Sequence, residues 1–64
     1  LSDKDKYQIT SWAFSYFMTH NLTISEAVIM AVKKVKPNKV GKDGSVKLSE
    51  STLLELQFRI KSML

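Results

Sequence analysis

The residues of this chain best suited to chemistry are lysines crowded into one short segment. Residues 33–47 carry six lysines against a single acid, Asp43, for a net charge of +5, while residues 1–32 sum to −1 and residues 48–64 to zero. The six are Lys33, Lys34, Lys36, Lys39, Lys42 and Lys47. Concentrated positive charge favours polyanions, because every neutralised phosphate releases condensed counterions. The segment therefore predicts nucleic-acid binding through phosphate contacts, which fix position without reading sequence.

Two further cations, Arg59 and Lys61, could extend this surface from the C-terminal part of the chain. Arg59 has an alternative partner in Glu55, four residues earlier on the same predicted helix. The lysine segment has an alternative too, since charged runs commonly serve only as a solvated surface. We expect the lysines to form a basic edge that is unpaired with acids and lies away from the apolar faces.

The sequence gives little indication of catalysis or metal binding. There is no cysteine and one histidine, His20, which fits a capping or packing role near a helix end better than catalysis. Residues 39–50 place Asp43 and Glu50 at the fifth and twelfth positions of an EF-hand loop, but Lys39 at the first position supplies no carboxylate. We predict no enzyme activity, no catalytic residue, no metal site and no cofactor.

The lysines must be positioned by helices. With 64 residues, of which 44% are hydrophobic, the chain is long enough for one small packed domain. The first helix is predicted from about Asp3 to His20, with Ser2 as its N-cap and Asn21 as a left-handed terminator. It is followed by a capping box, in which Thr23 and Glu26 begin the second helix.

The second helix should extend to about Lys36, because Pro37 disfavours helix in the residue before it. Turn-forming residues fill positions 37–48, where Asp43-Gly44 predicts a tight turn between two very short extended pieces. A third helix should begin near Ser49 or Thr52 and run to the end, the second start being suggested by a Thr52–Glu55 capping box. The predicted class is all-α, with three helices and a long basic loop between the second and the third.

The helices carry more apolar surface than one small unit can bury. The first helix is apolar over about twice the width of an ordinary stripe. On the third helix, Leu54 and Phe58 form a pair that is rotated away from the main apolar stripe. That main stripe consists of Leu53, Leu56, Ile60, Met63 and Leu64. Such patches usually mark an interface, so we expect an intertwined or tightly packed homodimer. Its predicted interface residues are Trp12, Tyr16, Leu54, Phe58 and Met63.

The aromatic residues of the first helix admit a second interpretation. Trp12 and Tyr16 could stack on unpaired nucleic-acid bases. Their helical spacing, however, is typical of residues in a core or a dimer contact. The spacing therefore favours packing over base stacking.

The three-helix layout and the segment 56–61 (LQFRIK) resemble a divergent homeodomain. Homeodomains carry Trp-Phe, an adenine-reading Asn and paired arginines on the third helix. Here Gln57 stands in place of the Trp, Ile60 in place of the Asn and Ser62 in place of the second arginine. The connector before the helix is also longer than a helix-turn-helix has, so base-specific readout is not expected.

Size, layout, basic charge and surplus apolar surface together resemble one family, the dimeric C-terminal domains of the replication-organiser membrane proteins of small protein-primed Bacillus phages. The resemblance implies a homodimer that multimerises and binds single- and double-stranded DNA without sequence preference. It also implies an N-terminal transmembrane segment and coiled coil outside residues 1–64, and a place at the cytoplasmic side of the host bacterial membrane. Without the resemblance, an intracellular location is expected.

The chain begins with Leu1, which is why we expect a domain belonging to a longer protein. Two other functions remain open on the sequence. One is a protein-interaction module, whose second apolar face receives a partner helix. The other is a sequence-specific repressor.

Overall fold

The computed structural model describes all residues, 1–64, and contains three α-helices. Helix α1 is Asp3–His20, α2 is Ile24–Val35 and α3 is Glu50–Met63, with a single 3₁₀ turn at Pro37–Lys39 after α2. The only β pairing is an isolated antiparallel bridge. The predicted all-α, three-helix class is confirmed. None of the three helices has both the length and the apolarity to cross a bilayer.

Both ends of α1 form as the sequence predicts. The Asp5 backbone N–H donates to Ser2 Oγ at 3.1 Å, and the Ser2 N–H donates back to the Asp5 carboxylate at 3.4 Å. Asn21 ends the helix in the left-handed region, with φ 53° and ψ 41°. These local contacts satisfy the backbone groups that a helix end leaves without partners.

The start of α2 is likewise the predicted capping box, in which the Glu26 N–H donates to Thr23 Oγ1 and the Thr23 N–H donates to the Glu26 carboxylate. The Thr23 hydrogen bonds lower the pKa of Glu26. The helix ends at Val35, and Lys36 leaves the helical region with φ −134° ahead of Pro37. The clash of the proline ring with the preceding residue accounts for that boundary.

Helix α3 begins at the earlier of its two predicted starts. Ser49 is the N-cap, and its Oγ accepts the Thr52 backbone N–H at 3.3 Å. The Thr52–Glu55 capping box does not form, so that prediction was wrong. Since Ser49 already caps the first turn, Thr52 becomes part of the helix and Glu55 is left to pair with cations.

The core lies where the three helices meet. Its eight buried apolar residues are Ile9, Ala13, Ala27, Val28, Ala31, Val32, Leu56 and Ile60. Three of the eight are alanines, which let the helix backbones approach closely but bury little surface. Each of the larger side chains contributes about 1.5–3 kcal/mol on burial. One copy of the chain thus forms a core of its own, and the core is small.

The apolar surplus predicted for α3 is present at the surface. Leu54 is 56% exposed and Phe58 69% exposed. Met63 and Leu64 were expected in the main stripe with the core residues, but they are also exposed. The reason is that the last turn of α3 runs past Ile60, its final buried residue.

Candidate nucleic-acid interface

The predicted basic edge starts on the last turn of α2. Lys33 and Lys34 are exposed there, and neither forms an ion pair. Cations at a helix C-terminus also complement the helix dipole. Two lysines are therefore held in defined backbone positions, and neither is neutralised by a carboxylate.

Lys36 departs from the expectation that the six lysines lack acidic partners. Its Nζ lies 3.4 Å from Asp5 Oδ2 at the start of α1. Partial burial raises the pKa of Asp5, but hydrogen bonds from Ser2 and the Lys36 ammonium outweigh it and hold the pKa below 3.8. The expectation was wrong for Lys36 because the packing of α2 on α1 brings together charges 31 residues apart.

The loop after the 3₁₀ turn folds back on itself as predicted. Val40 and Val46 form the antiparallel bridge, and the Lys47 N–H donates to the Lys39 carbonyl at 2.6 Å. Gly44, with φ 86°, supplies the left-handed residue of the turn. We call residues 39–47 the basic hairpin. Its two valines are half-buried against the core, which anchors the hairpin to the helices.

The bridge sets Lys39 and Lys47 opposite one another. Alternate residues of a paired segment point to opposite sides, and Val40 and Val46 turn toward the core. Lys47 is exposed beside this bridge, whereas Lys39, the last residue of the 3₁₀ turn, is half-buried. The backbone hydrogen bond between them keeps two positive charges close together in the hairpin.

The one acid of the hairpin is engaged locally. Asp43 Oδ1 accepts the Ser45 hydroxyl at 2.7 Å and the Ser45 N–H at 3.0 Å. The hydrogen bond from the Ser45 side chain is the main cause that lowers the pKa of Asp43. Lys42 beside it is exposed and unpaired. No group of three or more His, Cys, Asp or Glu side chains is placed to hold a metal ion.

The two candidate cations of α3 differ in whether they have an acidic partner. Arg59 Nη2 contacts Glu55 Oε2 at 2.9 Å, which is the alternative that the four-residue spacing offered. Glu55 also receives Lys6 Nζ at 3.3 Å, and the Lys6 hydrogen bond is the main cause that lowers the pKa of Glu55. Lys61 is exposed on the last turn of α3 and forms no ion pair.

Three rings form a ladder along α1, at residues 12, 16 and 20. The Trp12 and Tyr16 centroids are 5.7 Å apart, and Tyr16 meets His20 edge-on at 5.4 Å. Lys34 Nζ lies 5.1 Å from the Trp12 ring centroid. An ammonium so placed on an exposed ring contributes about 0.5–1 kcal/mol. We expected the basic edge to lie away from the apolar faces, and that expectation was wrong for Lys34. The packing of α2 along α1 brings this lysine to the aromatic face.

The residues predicted for the dimer interface divide between two sides of α1. A groove of about 370 Å³ between α1 and α3 is lined by Tyr7, Phe58 and Met63. Tyr7 and Trp12 are separated by about 140° around the helix axis at 3.6 residues per turn. Phe58 and Met63 thus lie on the opposite side of α1 from Trp12.

We call one side the basic flank and the other the apolar flank. The basic flank consists of Asp5, Trp12, Tyr16, Lys34 and Lys36. The apolar flank consists of Tyr7, Leu54, Phe58 and Met63. Trp12 and Tyr16 therefore lie with the lysines, and Leu54, Phe58 and Met63 form a separate surface.

Two residues were missed as site candidates. Tyr7 is 70% exposed on the apolar flank, and its position relative to α3 has no signal in the sequence. His20 belongs to the aromatic ladder, which the four-residue spacing from Trp12 to Tyr16 to His20 could have indicated.

The chain was compared with protein-family models, with curated proteins and with solved structures. No family model matches, and neither of the other comparisons gives a significant match.

Proposed function

We propose that this chain is a non-enzymatic domain that binds the phosphate backbone of single- and double-stranded DNA as a homodimer, with little sequence preference. The observation that carries the proposal is the distribution of free cations. Of the six clustered lysines only Lys36 has a carboxylate partner, and the acid within the cluster is hydrogen-bonded to Ser45. Such a surface matches the charge of a nucleic-acid backbone.

Low sequence preference is supported by the third helix. Ile60, at the position of the homeodomain adenine-reading Asn, is completely buried in the core. Arg59 beside it is paired with Glu55. The helix that reads bases in a homeodomain thus offers no group at that position to a base edge, and phosphate contact remains the main source of affinity.

Assembly into dimers and higher multimers is supported by size and by the apolar flank. The longest dimension of the domain is 29 Å, which is about eight or nine base pairs at 3.4 Å each. Along that length a single copy offers five clustered lysines without a carboxylate partner, so its phosphate contacts are few, and linked copies gain affinity by avidity. The open rings of Tyr7 and Phe58 supply a surface for a second copy.

The resemblance to the phage replication organisers supports a biological setting for this activity. In that setting, dimers aligned along DNA would organise replication at the cytoplasmic side of a bacterial membrane. The attachment to the membrane would come from a segment outside residues 1–64.

The test is a binding titration at several salt concentrations. Two unrelated 20-base-pair duplexes and one single strand are compared by fluorescence anisotropy. Log affinity should fall with log salt by about 0.9 per contacted phosphate for a duplex and about 0.7 for a single strand. The two duplexes should bind equally, within a factor of about three. No binding near physiological salt would overturn the proposal.

A matched pair of charge variants locates the contact. Lys47→Gln and Lys4→Gln each remove one exposed, unpaired cation, from the hairpin and from the first turn of α1 respectively. The salt slope of Lys47→Gln should decrease by about 0.9, and that of Lys4→Gln should not change. Equal changes in both variants would mean that the hairpin is not the site.

The same titration addresses the two other functions. A strong preference for one duplex would favour a repressor. Absence of all nucleic-acid binding would favour a protein-interaction module, for which the groove between α1 and α3 is the candidate surface.

A further inference from the structure

We infer that the ladder of Trp12, Tyr16 and His20 is a stacking platform for unpaired bases, which makes single-stranded nucleic acid the preferred ligand. The inference rests on the proposed function, because the lysines next to the ladder must hold the strand. It goes beyond that function in assigning the discrimination between single strand and duplex to particular rings.

The first step is the accessibility of the rings. Trp12 is 41% exposed, although tryptophan is usually well buried in a domain, and His20 is exposed two turns further along α1. Tyr16 between them is half-buried and packs against the core, so it supports the two exposed rings from below. From Trp12 to His20 the helix rises about 12 Å. That length equals three to four nucleotides at the 3.4 Å spacing of a stacked strand. The two exposed rings at the ends of the platform are thus separated by the length of a few consecutive bases.

The second step is the cation over the ring. Lys34 Nζ covers Trp12 at 5.1 Å and is exposed to solvent. An exposed ammonium is weakly held on a ring, and stacking of a base on an aromatic side chain is the stronger interaction. An arriving base would therefore replace the ammonium on Trp12. Lys34 would then be free to contact a phosphate of the same strand, and this contact together with the stacked base offsets the lost contact between the ammonium and the ring.

The third step separates this inference from simple charge attraction. Duplex DNA has the higher charge density, so lysines alone would favour the duplex. In a duplex, however, the base faces are stacked on one another and are closed to protein rings. A preference for the single strand therefore needs a contribution from stacking, which salt weakens little.

Trp12 is the only tryptophan of the chain, which gives a direct probe. A mixed-sequence 12-nucleotide DNA strand, its RNA counterpart and the matching DNA duplex are titrated while tryptophan fluorescence is recorded. Quenching by either single strand with little change from the duplex supports the inference, and the relative affinities show which nucleic acid is preferred. Equal quenching by strand and duplex overturns it.

Variants give a second readout by anisotropy of labelled strands. Trp12→Leu should weaken single-strand binding about tenfold and change duplex binding by less than about twofold. Trp12→Phe, which keeps a ring, should recover part of the loss. Met18→Ala is the control, because it truncates another exposed side chain of α1 that belongs to neither flank, and it should leave both affinities unchanged.

Circular dichroism shows whether each variant is folded. If Trp12→Leu does not fold, the fluorescence titration of the parent protein still tests the inference. Normal duplex binding combined with an unchanged affinity of Trp12→Leu for the single strand overturns only the stacking platform. Loss of all binding in the parent protein overturns the proposed function as well.

Discussion

The two flanks of α1 differ in how far other side chains cover their exposed aromatic rings. On the basic flank, Trp12 is partly covered by Lys34, and Asp5 is paired with Lys36. On the apolar flank, Arg59 pairs with Glu55, and the rings of Tyr7 and Phe58 remain 70% and 69% exposed. Free ammonium groups are well solvated by water, whereas open apolar surface gains from being covered. The basic flank thus already covers part of its exposed ring with a charged side chain of the same chain, whereas the apolar flank leaves its rings open to water.

The largest expected effect comes from breaking the core that both flanks share. Leu56→Ala should destabilise the domain by about 2–5 kcal/mol, a large part of the roughly 3–10 kcal/mol expected for a chain of this length. Leu56 is completely buried. Leu54→Ala is the same change on the exposed apolar flank, and should cost less than about 0.5 kcal/mol. Urea unfolding measures both, and equal losses would contradict the orientation of α3.

The next effect separates the flanks by their role in assembly. If the apolar flank receives a second copy, Phe58→Ala should weaken self-association about tenfold or more, because truncating a central aromatic side chain of an interface is costly. Trp12→Ala, on the basic flank, should leave self-association unchanged. Sedimentation velocity over a range of concentrations measures both. A parent protein that is monomeric throughout, or a dimer weakened only by Trp12→Ala, would exclude the apolar flank as the interface.

The smallest expected effect compares the ion pairs of Asp5 and Glu55 as the pH falls. Both carboxyl groups have a lower pKa in the folded chain than their ordinary values of 3.8 and 4.5. Each therefore stabilises the fold fully above its ordinary value, and this contribution is lost as the pH falls through the lower folded value. The midpoint of thermal unfolding should be constant from pH 7 to about 5 and should decrease below about pH 4.5.

Glu55→Gln and Asp5→Asn sharpen that comparison. Glu55 contacts two cations, Lys6 and Arg59, whereas Asp5 contacts only Lys36 among the cations. The decrease in the unfolding midpoint between pH 7 and pH 3 should therefore be smaller in Glu55→Gln than in Asp5→Asn. Thermal melts of the parent protein and the two variants at both pH values measure this decrease. A smaller decrease in Asp5→Asn than in Glu55→Gln would contradict the prediction.

Most of the helix boundaries were predictable because their causes are local. Ser2, Asn21 and Thr23 act on backbone groups within four residues, and Pro37 constrains the residue next to it. The start of α3 was ambiguous because two overlapping cap signals compete within one turn. Ser49 was the residue that formed the cap.

The candidate site was less predictable because it combines residues far apart in sequence. The lysine cluster and the turn at Asp43-Gly44 could be predicted from the sequence. The partner of Lys36 and the cation over Trp12 were not visible, since both depend on how α2 packs against α1.

By itself, the sequence determined three helices, most of their ends and a net charge of +5 in residues 33–47. These follow from nearest neighbours along the chain, through caps, turn residues and side-chain charge. The tertiary structure decided that Trp12 lies with the lysines and Phe58 lies away from them. Helical periodicity shows which residues share one helix face, but the neighbour that each face meets depends on packing of the whole chain.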